Sequence, residues 1–168
     1  GKLSVDAESF DAVKVATEVA DEVRPQAEDR GLGLTVRAPA TLPALCSDPR
    51  LVRLILSNLL TNAIKFTEKG GAEIALTHDG QVHLFAVVDT GPGIPAEHRG
   101  RIFEPFEQIE PARNKHIPGV GLGLALVREM VGALGGSIEL QSGVGEGSRF
   151  VVALPPYAPP AAVTGASA

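Results

Sequence analysis

Tryptophan is absent from the sequence, and six phenylalanines and one tyrosine supply all its aromatic rings. A core built from this chain must therefore be aliphatic, drawn from the 44% of residues that are hydrophobic. Cysteine occurs once, at Cys46, which excludes an internal disulfide and fits a reducing compartment. A basic excess is missing as well. Fifteen Lys and Arg stand against 20 Asp and Glu, for a net charge of −5. A nucleic-acid-binding face, normally basic, is therefore not expected. No apolar run approaches the roughly 18–20 residues that span a bilayer. The richest, Val120 to Leu134, is broken by Gly121, Gly123, Arg128, Glu129 and Gly132. No signal peptide opens the chain. The expectation is one domain without direct membrane contact, cytoplasmic, with room left for a membrane-anchored parent.

What is present is regular. Phe10, Val13, Ala16, Val19, Ala20 and Val23 recur at helical spacing and predict a helix over residues 10–30, its end obscured by Pro25. Residues 32–37 alternate like a strand and lead into a Pro-containing loop, residues 39–47. Asp48-Pro49 has the signature of a helix start, an N-cap acid followed by proline at the first helical position. The core stripe Val52, Ile55, Leu56, Leu59, Ala63 and Phe66 carries that helix to about residue 66. Ile74 and Leu76, then Val82, Leu84, Ala86 and Val88, predict a hairpin with Asp79-Gly80 as a two-residue turn. Residues 89–95 form a Gly/Pro loop and residues 96–106 short helical turns, and 107–118 lack any period and read as a mobile loop. A helix over 122–134 ends at Gly135-Gly136, and strands 137–142 and 148–154 pair around GVGEG. Interleaved helices and strands predict an α/β two-layer sandwich, with a mixed, mostly antiparallel sheet packed on helices.

Three segments carry chemistry. Asn58, Asn62 and Lys65 stand at i, i+4 and i+7 and share one helix face. Two amides and an ammonium suit a phosphate with a hard cation such as Mg²⁺; they equally suit a solvated face. The segment DTGPGIP, residues 89–95, sets Asp89 at the end of a strand. Its carboxylate can accept from an exocyclic amine such as that of adenine, or can close an Asx turn in a tight loop. The segment GVGLGL, residues 119–124, opens a helix, where free N–H groups bind phosphate. It also reads as a hinge. It is not a dinucleotide fingerprint, because Leu124 stands where the third glycine would be.

Each segment is weak alone, but their order is specific. NLLTNAIKFT, DTGPGI, RIFEPFEQ, GVGLGL and GEGSRF resemble, in sequence, the N-box, first glycine box, F-box, second glycine box and final glycine motif of sensor histidine kinases. The resemblance covers roughly residues 10–155 and implies the Bergerat ATP-binding fold, shared with type II topoisomerase ATPase subunits, heat-shock chaperones and mismatch-repair ATPases. It implies ATP and Mg²⁺ as ligands, with Asn62 as the metal ligand, Asn58 in the same phosphate site, and Lys65 on the phosphates. It sets Phe66 beside the adenine, Asp89 reading its amine, and Gly91, Gly93 and Ile94 around the base. Gly119, Val120, Gly121, Leu122, Gly123 and Leu124 form the second glycine box. Ser148 replaces the Thr of many relatives and keeps its hydroxyl. Phe103 and Phe106 match the F-box aromatics and are expected in the core. Residues 107–118 resemble the ATP lid. They depart from the commonest pattern, so the γ-phosphate contact is left between Arg113 and Lys115.

Relatives that hydrolyse ATP carry a glutamate in the N-box to activate water. The matching residue here is Asn58, and an amide is no general base. The resemblance therefore implies γ-phosphoryl transfer to a histidine on a dimerisation and phosphotransfer domain, then relay to the receiver domain of a response regulator. None of the four histidines fits the acceptor's helical context. Residues 1–9 read as a junction from that absent domain, 10–155 as the catalytic domain, and 156–168 as a disordered tail or linker. The alternatives are a nucleotide-binding regulatory module (a degenerate kinase) and a serine kinase of the anti-sigma-factor type.

Overall fold

The computed structural model of the chain describes residues 3–105 and 123–159. Asp11 caps the first helix, α1 (Ala12–Asp29), by accepting from the backbone N–H groups of Val13 and Lys14. The helix runs through Pro25 to Asp29, and Val23 and Ala27 keep its last turns in the core. The second long helix, α2 (Pro49–Phe66), starts as the Asp-Pro signature predicts, with Asp48 accepting from Arg50 N and Leu51 N.

The main sheet has the order β2-β4-β5-β7-β6, built from β2 (Gly33–Arg37), β4 (Gly71–His78), β5 (His83–Asp89), β6 (Ser137–Ser142) and β7 (Ser148–Leu154). The β2–β4 pairing is parallel and the other three are antiparallel, so the sheet is mixed and mostly antiparallel, as expected. One face carries Ile74, Leu76, Phe85, Val87, Val152 and Leu154 into a core shared with Val19, Val23, Ile55, Leu56, Leu59, Leu60 and Ile64 of the helices. A short helix, α3 (Ala96–Arg99), follows β5, and α4 (Gly123–Ala133) packs beside α2. The core is aliphatic apart from a few rings: Phe85 is fully buried, and Phe103 meets Phe150 edge-on at 6.2 Å. Phe106 lies outside the described residues.

Two local expectations change. The β4–β5 hairpin closes with His78 opposite His83, so its connection is four residues, 79 to 82, rather than Asp79-Gly80 alone. The reason is local: the Asp79 carboxylate accepts from both Gln81 N and Val82 N, which draws Val82 out of the strand and into the turn. The Pro-containing loop holds a strand, β3 (Leu45–Ser47), paired antiparallel with β1 (Glu8–Phe10). The departing chain meets the same strand, as Tyr157 N–H donates to Cys46 O at 2.8 Å.

Asp48 ties these parts together. Its carboxylate accepts from Arg50 N and Leu51 N, from Asp6 N of the entering segment at 2.9 Å, and from the Arg50 guanidinium at 3.2 Å. Burial alone would raise its pKa, but these donors outweigh burial and hold it below its ordinary value of 3.8. Asp48→Ala is therefore expected to cost about 2 kcal/mol at neutral pH, the upper range for a lost N-cap. A depressed carboxyl stabilises above its unfolded pKa and stops doing so as pH falls through the folded value. The difference between wild type and variant in urea unfolding should thus be full at neutral pH and shrink in acid below the ordinary carboxylate range. A difference that is small or independent of pH would contradict the role.

Candidate functional site

The sequence-predicted residues gather along α2 and at the ends of the sheet strands it covers. Asp89 is the last residue of β5 and lies opposite Ser148, the first residue of β7. Its Oδ1 accepts from Gly91 N at 2.8 Å. Burial pushes the Asp89 carboxyl above its ordinary value, against the pull of the Gly91 and Ser148 backbone N–H groups. A carboxylate that is desolvated and only partly compensated favours a ligand that donates to it.

Gly91 draws in the end of α2. A Cβ there would lie 2.9 Å from Asp89 Oδ1, 3.3 Å from Thr67 Oγ1 and 3.4 Å from the Phe66 carbonyl. Phe66 itself is half-buried, and the ammonium of Lys65 stands 5.5 Å from its ring centroid. Burial lowers the pKa of Lys65. Gly93 adopts a left-handed φ of +77°, and a Cβ would sit 1.9 Å from the Gly143 carbonyl. The loop after β5 is thereby pressed against the loop between β6 and β7. Gly145 N–H donates to Pro92 O at 2.8 Å, and Ile94 N–H donates to Ser142 Oγ at 2.7 Å.

The other end of the site lies two turns back along α2. Asn58 Nδ2 donates to Leu54 O at 2.8 Å, which commits the amide nitrogen to the helix backbone. The oxygen is then presented outward, 3.4 Å from where a Cβ of Gly123 would stand at the start of α4. Half-buried Asn62 makes no side-chain hydrogen bond to a described residue. From Asn58 to Phe66 the helix rises about 12 Å, so amide oxygens mark one end and the half-buried carboxylate of Asp89 the other. Leu124 is half-buried in the first turn of α4. Arg113, Lys115, Gly119, Val120, Gly121, Leu122 and the expected mobile loop 107–118 lie outside the described residues.

Two polar residues escaped the sequence reading. Ser142 bonds Ile94, Gly147 and Ser148 at once. Its signal was a hydroxyl pair, Ser142 and Ser148, bracketing the glycine loop at the base of a hairpin. Thr67 caps the C-terminus of α2, with its carbonyl held by Arg30 at 3.0 Å. Its hydroxyl is fully buried and has no hydrogen-bond partner among the described residues, beside Gly91. Nothing local marks that position, since Arg30 reaches it from the C-cap of α1.

A mixed sheet backed by helices, with a half-buried carboxylate and a helix N-terminus at opposite ends of one amide-bearing helix, defines an α/β sandwich of the nucleotide-binding class. The family described as histidine kinase-, DNA gyrase B-, and HSP90-like ATPase matches residues 47–158, and the chain belongs to it as a catalytic ATPase domain of the sensor histidine kinase type. The chain is 38% identical over 156 residues to sensor histidine kinase AtsR of Burkholderia thailandensis, covering 90% of this chain and 26% of that protein. It is 34% identical over 158 residues to the circadian input-output histidine kinase CikA of Synechococcus elongatus, covering 92% of this chain and 21% of that protein. Among solved structures, full-length ShkA in complex with AMPPNP superposes with a TM-score of 0.84 at 33% identity, over 94% of this chain and 32% of that one. The chain thus spans about a quarter of the length of these curated relatives. Among the described residues, no helix is long and apolar enough to cross a membrane.

Proposed function

We propose that the chain binds Mg²⁺-ATP along α2 and passes the γ-phosphoryl to a histidine on a dimerisation domain of the same protein, for relay to a response-regulator aspartate. Asp89 accepts the adenine amine, Gly91, Gly93 and Ile94 shape the base pocket with Phe66 and Ser148, and Lys65 meets the phosphates. Gly119, Val120, Gly121, Leu122, Gly123 and Leu124 bind the phosphates, with Arg113 or Lys115 contacting the terminal one. The cytoplasm is the matching location. The AMPPNP bound to ShkA, a chain of the same fold and 33% identity, supports the ligand class.

The donor set fits Mg²⁺. No group of three His, Cys, Asp or Glu among the described residues could hold a metal. Amide oxygens are on offer, from Asn62 and from Asn58, whose Oδ1 is directed outward by its Nδ2 bond to Leu54 O. Mg²⁺ keeps much of its shell as water and phosphate oxygen, so one or two protein oxygens suffice. Bound there, it would neutralise charge on the transferring phosphoryl.

The observation that carries the reading is Asn58. It faces the start of α4 where a hydrolase would need a base, and an amide cannot activate water. Positioning and charge stabilisation remain, which are most of what phosphoryl transfer requires. The acceptor lies elsewhere: His78 ends β4, His83 is buried with Nε2 at 2.7 Å from Pro43 O, and His98 sits in the four-residue α3. His116 lies outside the described residues. Incubation with labelled Mg²⁺-ATP is expected to leave this chain unlabelled, and to put acid-labile label on the parent's dimerisation domain when that is added. Label on this chain alone would overturn the assignment. Nucleotide binding without any transfer would leave a regulatory binding module.

A further inference from the structure

The two glycine loops of the base pocket are joined through one hydroxyl, and the direction of its hydrogen bonds is fixed by its partners. Ile94 N–H can only donate, so Ser142 Oγ accepts from it, at 2.7 Å. The Gly147 carbonyl can only accept, so Ser142 donates its single proton there, at 2.9 Å. The remaining contact, 2.9 Å between Ser142 Oγ and Ser148 Oγ, must then be a bond donated by Ser148. The Ser148 proton is turned toward β6 and away from anything beside Asp89. What Ser148 presents to the pocket is lone pairs alone.

We propose that Ser142 is a positioning residue for base selectivity in the nucleotide site inferred above, on which this reading rests: it orients the Ser148 hydroxyl so that the base end of the pocket only accepts. Asp89, opposite Ser148 across the β5–β7 pairing, has one carboxylate oxygen held by Gly91 N–H, and its remaining lone pairs accept. A purine with a 6-amino group supplies donors to such a wall, directly or through one water. A purine with a 6-carbonyl finds no donor, and a carbonyl facing acceptors in a part-buried site is rejected more strongly than an equally shaped amine is attracted. Without Ser142, the Ser148 proton is released and can turn to meet a 6-carbonyl.

The test compares ATP with ITP, which differ on the six-membered ring at position 6 and its adjoining N1 proton. Dissociation constants are measured with Mg²⁺ for wild type, Ser142→Ala and Ser142→Thr, with circular dichroism to establish that each variant is folded. The preference for ATP over ITP is expected to fall about threefold to tenfold in Ser142→Ala, the worth of one hydrogen bond. Ser142→Thr, which keeps the hydroxyl and suits a strand, should retain the wild-type ratio. If Ser142→Ala does not fold, Ser142→Cys, with a weaker donor and acceptor in the same place, should narrow the ratio in the same direction. Equal weakening of both nucleotides would mean that Ser142 only braces the loops, and would overturn the proposal, as would an unchanged ratio. A wild type that binds neither nucleotide would overturn the site reading itself, a failure visible before any variant is compared.

Discussion

Asp89→Asn is expected to lower ATP affinity by about 10- to 150-fold while leaving the ligand-free protein as stable as wild type or more so. The affinity follows from the charge of the acceptor, since a hydrogen bond to a carboxylate contributes about 1.5–3 kcal/mol. Asparagine must also keep its oxygen toward Gly91 N–H, which now bonds the carboxylate. Its NH₂ would then face the adenine amine, donor against donor, so the loss should fall at the upper end. Stability moves the other way. Burial raises the folded pKa of Asp89 above its ordinary value, so the folded state binds the proton more tightly than the unfolded state. Ionised Asp89 then costs stability above the folded pKa and costs nothing well below the ordinary carboxylate range, where both states are protonated. At neutral pH the neutral amide removes that cost. Calorimetric titration and thermal unfolding of the same samples check both halves. Unchanged ATP affinity would remove Asp89 from the site. A large drop in stability would make it a structural acid instead.

Gly93→Ala should damage both folding and binding, and Gly145→Ala should damage neither much. Both glycines have left-handed φ, +77° and +80°. An alanine there costs roughly 1–2 kcal/mol from backbone strain alone. At Gly145 nothing lies within 4 Å of an added Cβ. At Gly93 the Cβ would stand 1.9 Å from the Gly143 carbonyl, which is backbone and cannot swing aside. The two loops must part, and the bonds from Gly145 N to Pro92 O and from Ile94 N to Ser142 Oγ go with them. The expected cost is about 3–4 kcal/mol in stability, with at least about a tenfold loss of ATP affinity. Urea unfolding of the two variants side by side separates close approach from φ strain. Equal losses would show that φ alone matters and that the loops tolerate separation.

The site's function therefore rests on contacts between segments far apart in the chain, and these differ in how far the sequence revealed them. The helices α1 and α2 were legible because their signals are local. An apolar stripe repeats every three to four residues, and Asp48 caps the first turn within three residues of itself. The strands of the two hairpins, and the five-residue GVGEG loop between Ser142 and Ser148, followed from alternation and glycine placement. The order of the five motifs carried the family, and the family-level match over residues 47–158 agrees.

Non-local pairing was hidden. The strand β3 is three residues long, too short for any period, and exists because β1 arrives from residues 8–10 to pair with it. The parallel β2–β4 pairing, Gly33 beside Gly71, spans an entire helix. The two glycine loops looked independent in sequence. Only the tertiary structure sets Gly93 against Gly143 and joins the two loops through one serine hydroxyl. Local geometry is fixed by neighbouring residues, whose chemistry can be read in order along the chain. Hydrogen-bond direction at Ser142 depends on partners 48 and 5 residues away, and no linear pattern encodes which way that proton points.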